Sequence, residues 1–120
     1  MENTNSPRML TEEEVRETFL RHVWKLIEHW NDAPRYPEPR AKLEGLAFSI
    51  LSTLDCGNVG GLPGFVVAPR PLPDDKAYAI EHNQNWYPQN HESKVECDIA
   101  GVLHEEFHDI GRKLKDEMKQ

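Results

Sequence analysis

The segment His104-Glu105-Glu106-Phe107-His108 has the residue types and spacing of a zinc-hydrolase motif. In an H-E-x-x-H sequence on a helix, the four-residue spacing places both imidazoles on one face, where both can bind zinc. Glu105 would then activate a metal-bound water. Catalytic zinc takes a third protein ligand, usually from further along the chain, and only 12 residues follow His108. A zinc-dependent hydrolase that uses His104 and His108 is therefore kept as an alternative.

A second group of residues suits binding rather than catalysis. Asn85, Trp86 and Tyr87 offer an amide and two flat rings, which favour stacking on a base or another planar ligand. Arg70 can bind a phosphate or carboxylate through two parallel hydrogen bonds. The alternative for both rings is that they cover the core from a long loop. We expect one ligand-binding site with no metal or cofactor, formed by Asp55, Arg70, Asp75, Asn85, Trp86, Tyr87, His104 and Glu105.

Other chemistries have little support. Ser49 and Ser52 lie within an apolar segment rather than on a strand-to-helix turn. The loop GNVGGLPG lacks the lysine and hydroxyl residue of a phosphate-binding loop. Cys56 and Cys97 have the ligand types for a structural zinc with His104 and His108, but their spacing matches no zinc finger. We expect two free, buried thiols.

Three main helices are expected to position these residues. Thr11 and Glu14 form a capping box before the first helix, which runs to about residues 29–31. Trp24 lies outside its apolar stripe and indicates a second contact or an oligomer surface. That stripe consists of Val15, Phe19, Val23, Leu26 and Trp30.

The second helix is apolar on nearly every side from Leu43 to Leu54, which is typical of a helix buried by its neighbours. Gly57 is placed to end it with a positive φ. We expect this helix to be the centre of the core, with the site where it meets the glycine-rich loop. The last helix should begin near Asp98. Its apolar stripe is Ile99, Leu103, Phe107, Ile110 and Leu114.

Between these helices, Phe65–Ala68 is the best strand candidate, stopped by the prolines that follow it. Asp74 or Asp75 can cap a short helix over 76–82, although 77–80 also fits a strand. The predicted fold is therefore α+β, mostly helical, with three main helices and a small two- or three-stranded element in the middle. A single domain is expected over 1–120, with 1–9 as a flexible tail.

The composition narrows the class of protein. A net charge of −7 argues against direct nucleic-acid binding, which needs a basic face. No apolar run approaches the roughly 20 residues of a membrane span, and no signal-peptide core is visible. With only two cysteines, the chain is expected in a reducing cytoplasm.

The run LEGLAFSILSTLDC, followed by LPGF, PRPLPDDKAY, NWYP and LHEEF, resembles a group of small proteins found mainly in bacteriophages and prophages. The group pattern is a GLAFS-I-L-x-x-LDG helix, an LP turn, a P-x-P-x-DD segment, an ENWY-like loop and a terminal LHE. The likeness covers about residues 41–107. The chain departs from the pattern at Cys56, where the group has glycine, and His108 lies outside it.

The resemblance implies a phage accessory protein, a class that often binds a host protein or sequesters a signalling nucleotide used in antiviral defence. We therefore expect a non-catalytic homo-oligomer in the host cytoplasm that binds a small nucleotide-like ligand or a host protein. The alternatives are the zinc-dependent hydrolase and a pure protein–protein inhibitor without a pocket.

Overall fold

The computed structural model describes residues 7–57, 60–89 and 95–119 and contains four helices there. Among the helices of these described residues, α2 and α4 each pack against α1 but not against each other, and α3 packs against none of the other three. The molecule is flat, with extents of 57 × 55 × 25 Å. The helices are α1 (Glu12–Asn31), α2 (Pro39–Cys56), α3 (Asp75–Glu81) and α4 (Leu103–Met118).

α1 begins with the predicted capping box, which is confirmed. The Thr11 hydroxyl accepts a hydrogen bond from the Glu14 amide, and the Glu14 carboxylate accepts one from the Thr11 amide. Arg8 adds two further hydrogen bonds to that carboxylate. Hydrogen bonding from Arg8, followed by that from Thr11, lowers the pKa of Glu14 to about 2. Residues just before the helix are thus held to its first turn.

Trp24 fixes the contact between α1 and α4. Its ring stacks on Phe107 with a centroid distance of 4.5 Å, and its Nε1 donates to the Phe107 carbonyl at 2.8 Å. The indole lies against Gly111 so closely that a Cβ there would overlap it. Trp24 therefore marks a second contact within the chain, one of the two predicted alternatives.

Three ion pairs flank this contact between α1 and α4. Hydrogen bonds from Arg21, followed by those from Lys113, hold the pKa of the Glu17 carboxyl below its usual value. Arg21 likewise lowers the pKa of Glu117. The pairs are Arg16 with Glu106, Arg21 with Glu117, and Lys113 with Glu17.

Trp30 and His22 hold α1 against α2. The Trp30 indole covers Gly45, and its Nε1 donates to Ser49 Oγ at 2.9 Å. Thr53 is fully buried, and its hydroxyl donates to the Ser49 carbonyl at 2.9 Å. That hydroxyl therefore accepts from His22 Nε2, 3.0 Å away. Burial, followed by the nearby Lys25, lowers the pKa of His22, which favours the neutral form of its ring.

The core lies on α1 between these two contacts. Phe65 packs edge-on against Phe19, with ring centroids 5.4 Å apart, and its amide donates to the Leu54 carbonyl. Gly60 approaches the His22 ring so closely that only glycine fits there. The glycine-rich turn thus closes the core from one side. The buried residues of the core are Phe19, Leu20, Val23, Leu62 and Ile110.

The predicted α+β fold is wrong. Within the described residues there is no strand, and Phe65–Ala68 has no partner strand. The Phe65 amide is bonded to the end of α2 instead of to a ladder, and prolines at 63, 69, 71 and 73 remove further donors. The short helix predicted after Asp74 is confirmed, which makes four helices.

The prediction that α2 is the centre of the core is also wrong. α1 is the central helix, because its contacts with α2 and α4 lie on opposite sides of it. Thr53 is the one buried residue of α2. The apolar pattern of α2 predicts several covering neighbours, yet α1 is its sole helical neighbour in the described chain.

The ends of α2 and α4 test two local predictions. Gly57 follows α2 with the positive φ of the predicted left-handed ending, 69°, but its ψ of 166° differs from that of a left-handed helical residue. α4 begins at Leu103 rather than near Asp98, because Asp98 bonds the Ala100 amide in a tight turn and Gly101 has φ of 115°. Cys56 and Cys97 are free, as expected, but exposed rather than buried.

Candidate functional site

Residues 70–89 form a small unit around α3 that holds part of the predicted site. The Asp75 carboxylate accepts a hydrogen bond from the Leu72 amide at 2.7 Å, which stabilises the turn before α3. Gln89 donates to the Leu72 carbonyl at 3.3 Å and so joins the far end of the following loop to the same turn. Asp75 therefore has a structural role in positioning the loop.

Trp86 is held against α3 by a cation–π contact. The Lys76 ammonium lies 5.4 Å from the centroid of the Trp86 ring. The Gln84 amide donates to the Ala79 carbonyl at 2.8 Å, and Asn83 reverses the chain between them with φ of 54°. Asn85, Trp86 and Tyr87 thus leave α3 in a defined direction rather than as a free loop.

This unit exposes large apolar side chains on more than one side. Lys76 and Ile80 are one turn apart on α3 and lie on the side where Trp86 packs. Tyr78 lies on the other side, where the His82 ring stacks on it with centroids 3.9 Å apart. We call this set the apolar α3 surface, and its members range from 48% to 73% exposed: Leu72, Tyr78, Ile80, Trp86 and Tyr87.

Arg70 is engaged by a carboxylate of the same chain. Its guanidinium pairs with Asp98, which lies just before the turn into α4. The pair connects the proline-rich segment to the residues just before α4. It also neutralises the positive charge of Arg70, which was expected to bind an anionic ligand. Any anion at Arg70 would have to compete with Asp98.

His104 and Glu105 lie in the first turn of α4 and are largely exposed; His104 Nε2 is 4.0 Å from Glu105 Oε1. His108 is one turn further on, edge-on to Phe107. Two histidines supply at most two of the three protein ligands of a catalytic zinc. Across 7–57, 60–89 and 95–119, no three His, Cys, Asp or Glu side chains come together at a distance suited to a metal.

The structure brings together only some of the predicted site residues. Asp75, Asn85, Trp86 and Tyr87 belong to the unit of residues 70–89, and Arg70 is its first residue. Asp55 is exposed and lies in the last turn of α2. No hydrogen bond or ion pair of the described chain joins Asp55, His104 or Glu105 to residues 70–89.

A shallow cavity of about 580 Å³ lies elsewhere, where α1 ends and the chain turns towards α2. Its walls come from the last two turns of α1, including Lys25 and His29, and from the linker as far as Tyr36. None of the residues predicted to bind a ligand lines it.

Sequence reasoning missed the apolar side chains of α3 itself. The sequence places Tyr78 and Ile80 in a short element without predicting that their side chains are exposed. They are exposed because a seven-residue helix has little surface against which to bury them. The spacing of Lys76 and Trp86 gave no signal, because their contact depends on the turn at Asn83. No family model, curated protein or solved structure matches this chain.

Proposed function

We propose that this chain is a small, non-catalytic accessory protein that binds a host protein through the apolar α3 surface and inhibits or sequesters it. The observation that carries the proposal is the exposure of Trp86 and Tyr87, 48% and 73%, on a unit whose backbone is held by its own hydrogen bonds. Ordered aromatic side chains with large exposed areas are the residues most enriched at protein interfaces.

The shape of the unit favours a protein over a small molecule. α3 packs against no other helix of the described chain, and it presents Ile80 and Tyr78 on different sides. Such a projection suits insertion into a cleft of a larger partner, where several sides are covered at once. A nucleotide-like ligand would instead need an enclosing pocket and an available cation, and Arg70 already pairs with Asp98.

Charge and context narrow the partner further. With a net charge of −7, the chain favours a neutral or basic partner surface and disfavours nucleic acid. The resemblance to phage and prophage proteins makes a host-defence component the proposed target, with the chain acting as a homo-oligomer in the host cytoplasm. None of the helices in the described residues is long and apolar enough to span a membrane.

The test compares the wild-type chain with a Trp86→Ala/Tyr87→Ala double variant. Both are expressed with a purification tag in a bacterial host, the co-purified protein is identified, and its binding to each form is measured by calorimetry. We expect one partner per chain and binding at least about 10-fold weaker for the double variant.

Met118→Ala is the matched control, because Met118 is exposed apolar surface outside the apolar α3 surface. This variant should bind as tightly as the wild type. Heat-released nucleotides should be absent from the purified wild-type chain. A stoichiometric nucleotide that is lost in the double variant would contradict a protein target and favour the small-molecule alternative.

A further inference from the structure

One side of α2 is apolar and uncovered. Leu43, Phe48 and Leu51 are 67%, 71% and 60% exposed. The opposite side, with Ser49 and Thr53, packs against α1. A helix that is apolar on all sides is normally buried on all sides, so the exposed side lacks its cover. We call this side the α2 face, and it consists of Arg40, Leu43, Glu44, Ala47, Phe48, Leu51 and Asp55.

The molecule has ample surface for an interface between two copies. Its accessible surface is 10126 Å², whereas a compact monomer of 13.9 kDa has about 6,700 Å². The radius of gyration is 18.6 Å, against about 13.6 Å for a compact chain of this length. The difference in area, which is summed over the whole molecule and not over the α2 face alone, exceeds the roughly 800 Å² that each partner of a standard interface buries.

The charges at the ends of α2 are reversed relative to its dipole. Arg40 lies in the first turn, near the positive end, and Asp55 lies in the last turn, near the negative end. Within a single helix both placements are unfavourable. An antiparallel neighbouring helix with the same charges offsets both unfavourable placements. Its Asp55 then lies beside the positive end of α2, and its Arg40 lies beside the negative end.

We propose that the α2 face pairs antiparallel with the α2 face of a second copy of this chain. The point midway between Arg40 and Asp55 lies between Ala47 and Phe48. With a rise of about 1.5 Å per residue, each charged residue lies about 11 Å from that point, at the same height as the opposite charge on the other helix. A two-fold axis there places Arg40 beside the partner's Asp55 at both ends.

The same axis brings the apolar residues of the two helices together. Phe48 packs near the partner's Phe48, and the small side chain of Ala47 allows a close approach at the crossing. Arg40 pairs with Glu44 on its own helix in the single chain and is 90% exposed, so it is free to turn towards the partner's Asp55. The interface is closed and self-complementary, as expected for a two-fold dimer.

This dimer is a specific form of the homo-oligomer in the proposed function. Dimerisation itself does not require the host target. Its test is the mass of the full-length chain in solution, measured by sedimentation over a range of concentrations without any target. We expect twice the 13.9 kDa chain mass for the wild type. Phe48→Glu should weaken dimerisation by about 30-fold or more, with an unchanged circular dichroism spectrum because Phe48 is exposed.

The register is tested by charge reversal. Arg40→Glu and Asp55→Arg should each weaken the dimer several-fold, and the double variant should restore it to near wild-type strength. Met118→Glu is the matched control and should dimerise normally, since Met118 lies at the far end of α4. A monomeric wild type would overturn the proposal. A dimer that withstands Phe48→Glu, or one not restored by the double variant, would also overturn it.

Discussion

Trp24 of α1 lies directly on Gly111 of α4, where its indole occupies the space that a Cβ would need. The same relationship recurs on the opposite side of α1, where Trp30 lies on Gly45 of α2. In both cases the indole nitrogen donates to a group one turn from the glycine, the Phe107 carbonyl or the Ser49 hydroxyl. Two tryptophan–glycine contacts thus attach both flanking helices to the central one.

Gly111→Ala should lower the free energy of unfolding by about 1–3 kcal/mol. Alanine is the better helix former by about 0.5–1 kcal/mol, but here its Cβ overlaps the Trp24 ring and forces one of the packed helices to move. Urea denaturation of the two proteins measures the difference.

A double-mutant cycle with Trp24→Ala provides the control for this prediction. Once the indole is removed, the space above Gly111 is open, and Gly111→Ala should stabilise the helix by about 0.5–1 kcal/mol. A destabilisation of equal size in both backgrounds would show that Trp24 is not the cause.

His22 should make the free energy of unfolding depend on pH between 7 and 5. Burial lowers the pKa of His22 in the folded chain, so below about 6.5 the unfolded chain binds more protons than the folded one. This contribution to stability is therefore intact at pH 7, falls as the pH drops through 6.5, and levels off below the folded pKa. Urea denaturation across this range measures it.

His22→Gln removes that titration and should flatten this part of the pH profile. His104→Gln is the matched control, because His104 is exposed at the start of α4, and its profile should follow the wild type. If His22→Gln and the wild type lose stability in parallel from pH 7 to pH 5, His22 is not the group responsible.

The chain purified without a histidine tag should contain well below one zinc per molecule. His104 and His108 offer two ligands on an exposed helix face, which is too few to hold zinc against dilution. Elemental analysis of the wild type and of His108→Ala should give the same low content. Near-stoichiometric zinc that disappears in His108→Ala, together with hydrolytic activity, would favour the zinc-dependent alternative.

Local signals in the sequence predicted the helix ends well where side chains act over one turn. The capping box of Thr11 and Glu14 and the positive φ of Gly57 depend on neighbouring residues only. The start of α4 was placed five residues early, because Asp98 and Gly101 make a turn whose apolar residues continue the helical stripe. Hydrophobic periodicity alone does not distinguish such a turn from the first turn of a helix.

Contacts between distant segments were predicted less well. Phe65–Ala68 has the composition of a strand, but whether a strand forms depends on a partner, and the Phe65 amide is bonded to α2 instead. Of the predicted site, the residues close in sequence, Asp75 to Tyr87, lie in one unit. The predicted association of these residues with Asp55 and His104 depends on long-range packing, which residue types do not encode. The part of the chain that the structure describes does not show that association.

The two contacts of α1 differ greatly in the length of chain that each must close. The bond from Trp30 to Ser49 spans 19 residues, whereas that from Trp24 to Phe107 spans 83. The entropy lost on closing a loop rises with its length, so we expect the hairpin of α1 and α2 to assemble first. During synthesis on the ribosome, the α4 side of α1 therefore stays bare until α4 has emerged, and we expect the chain to be most open to misfolding or to capture by a chaperone in that interval.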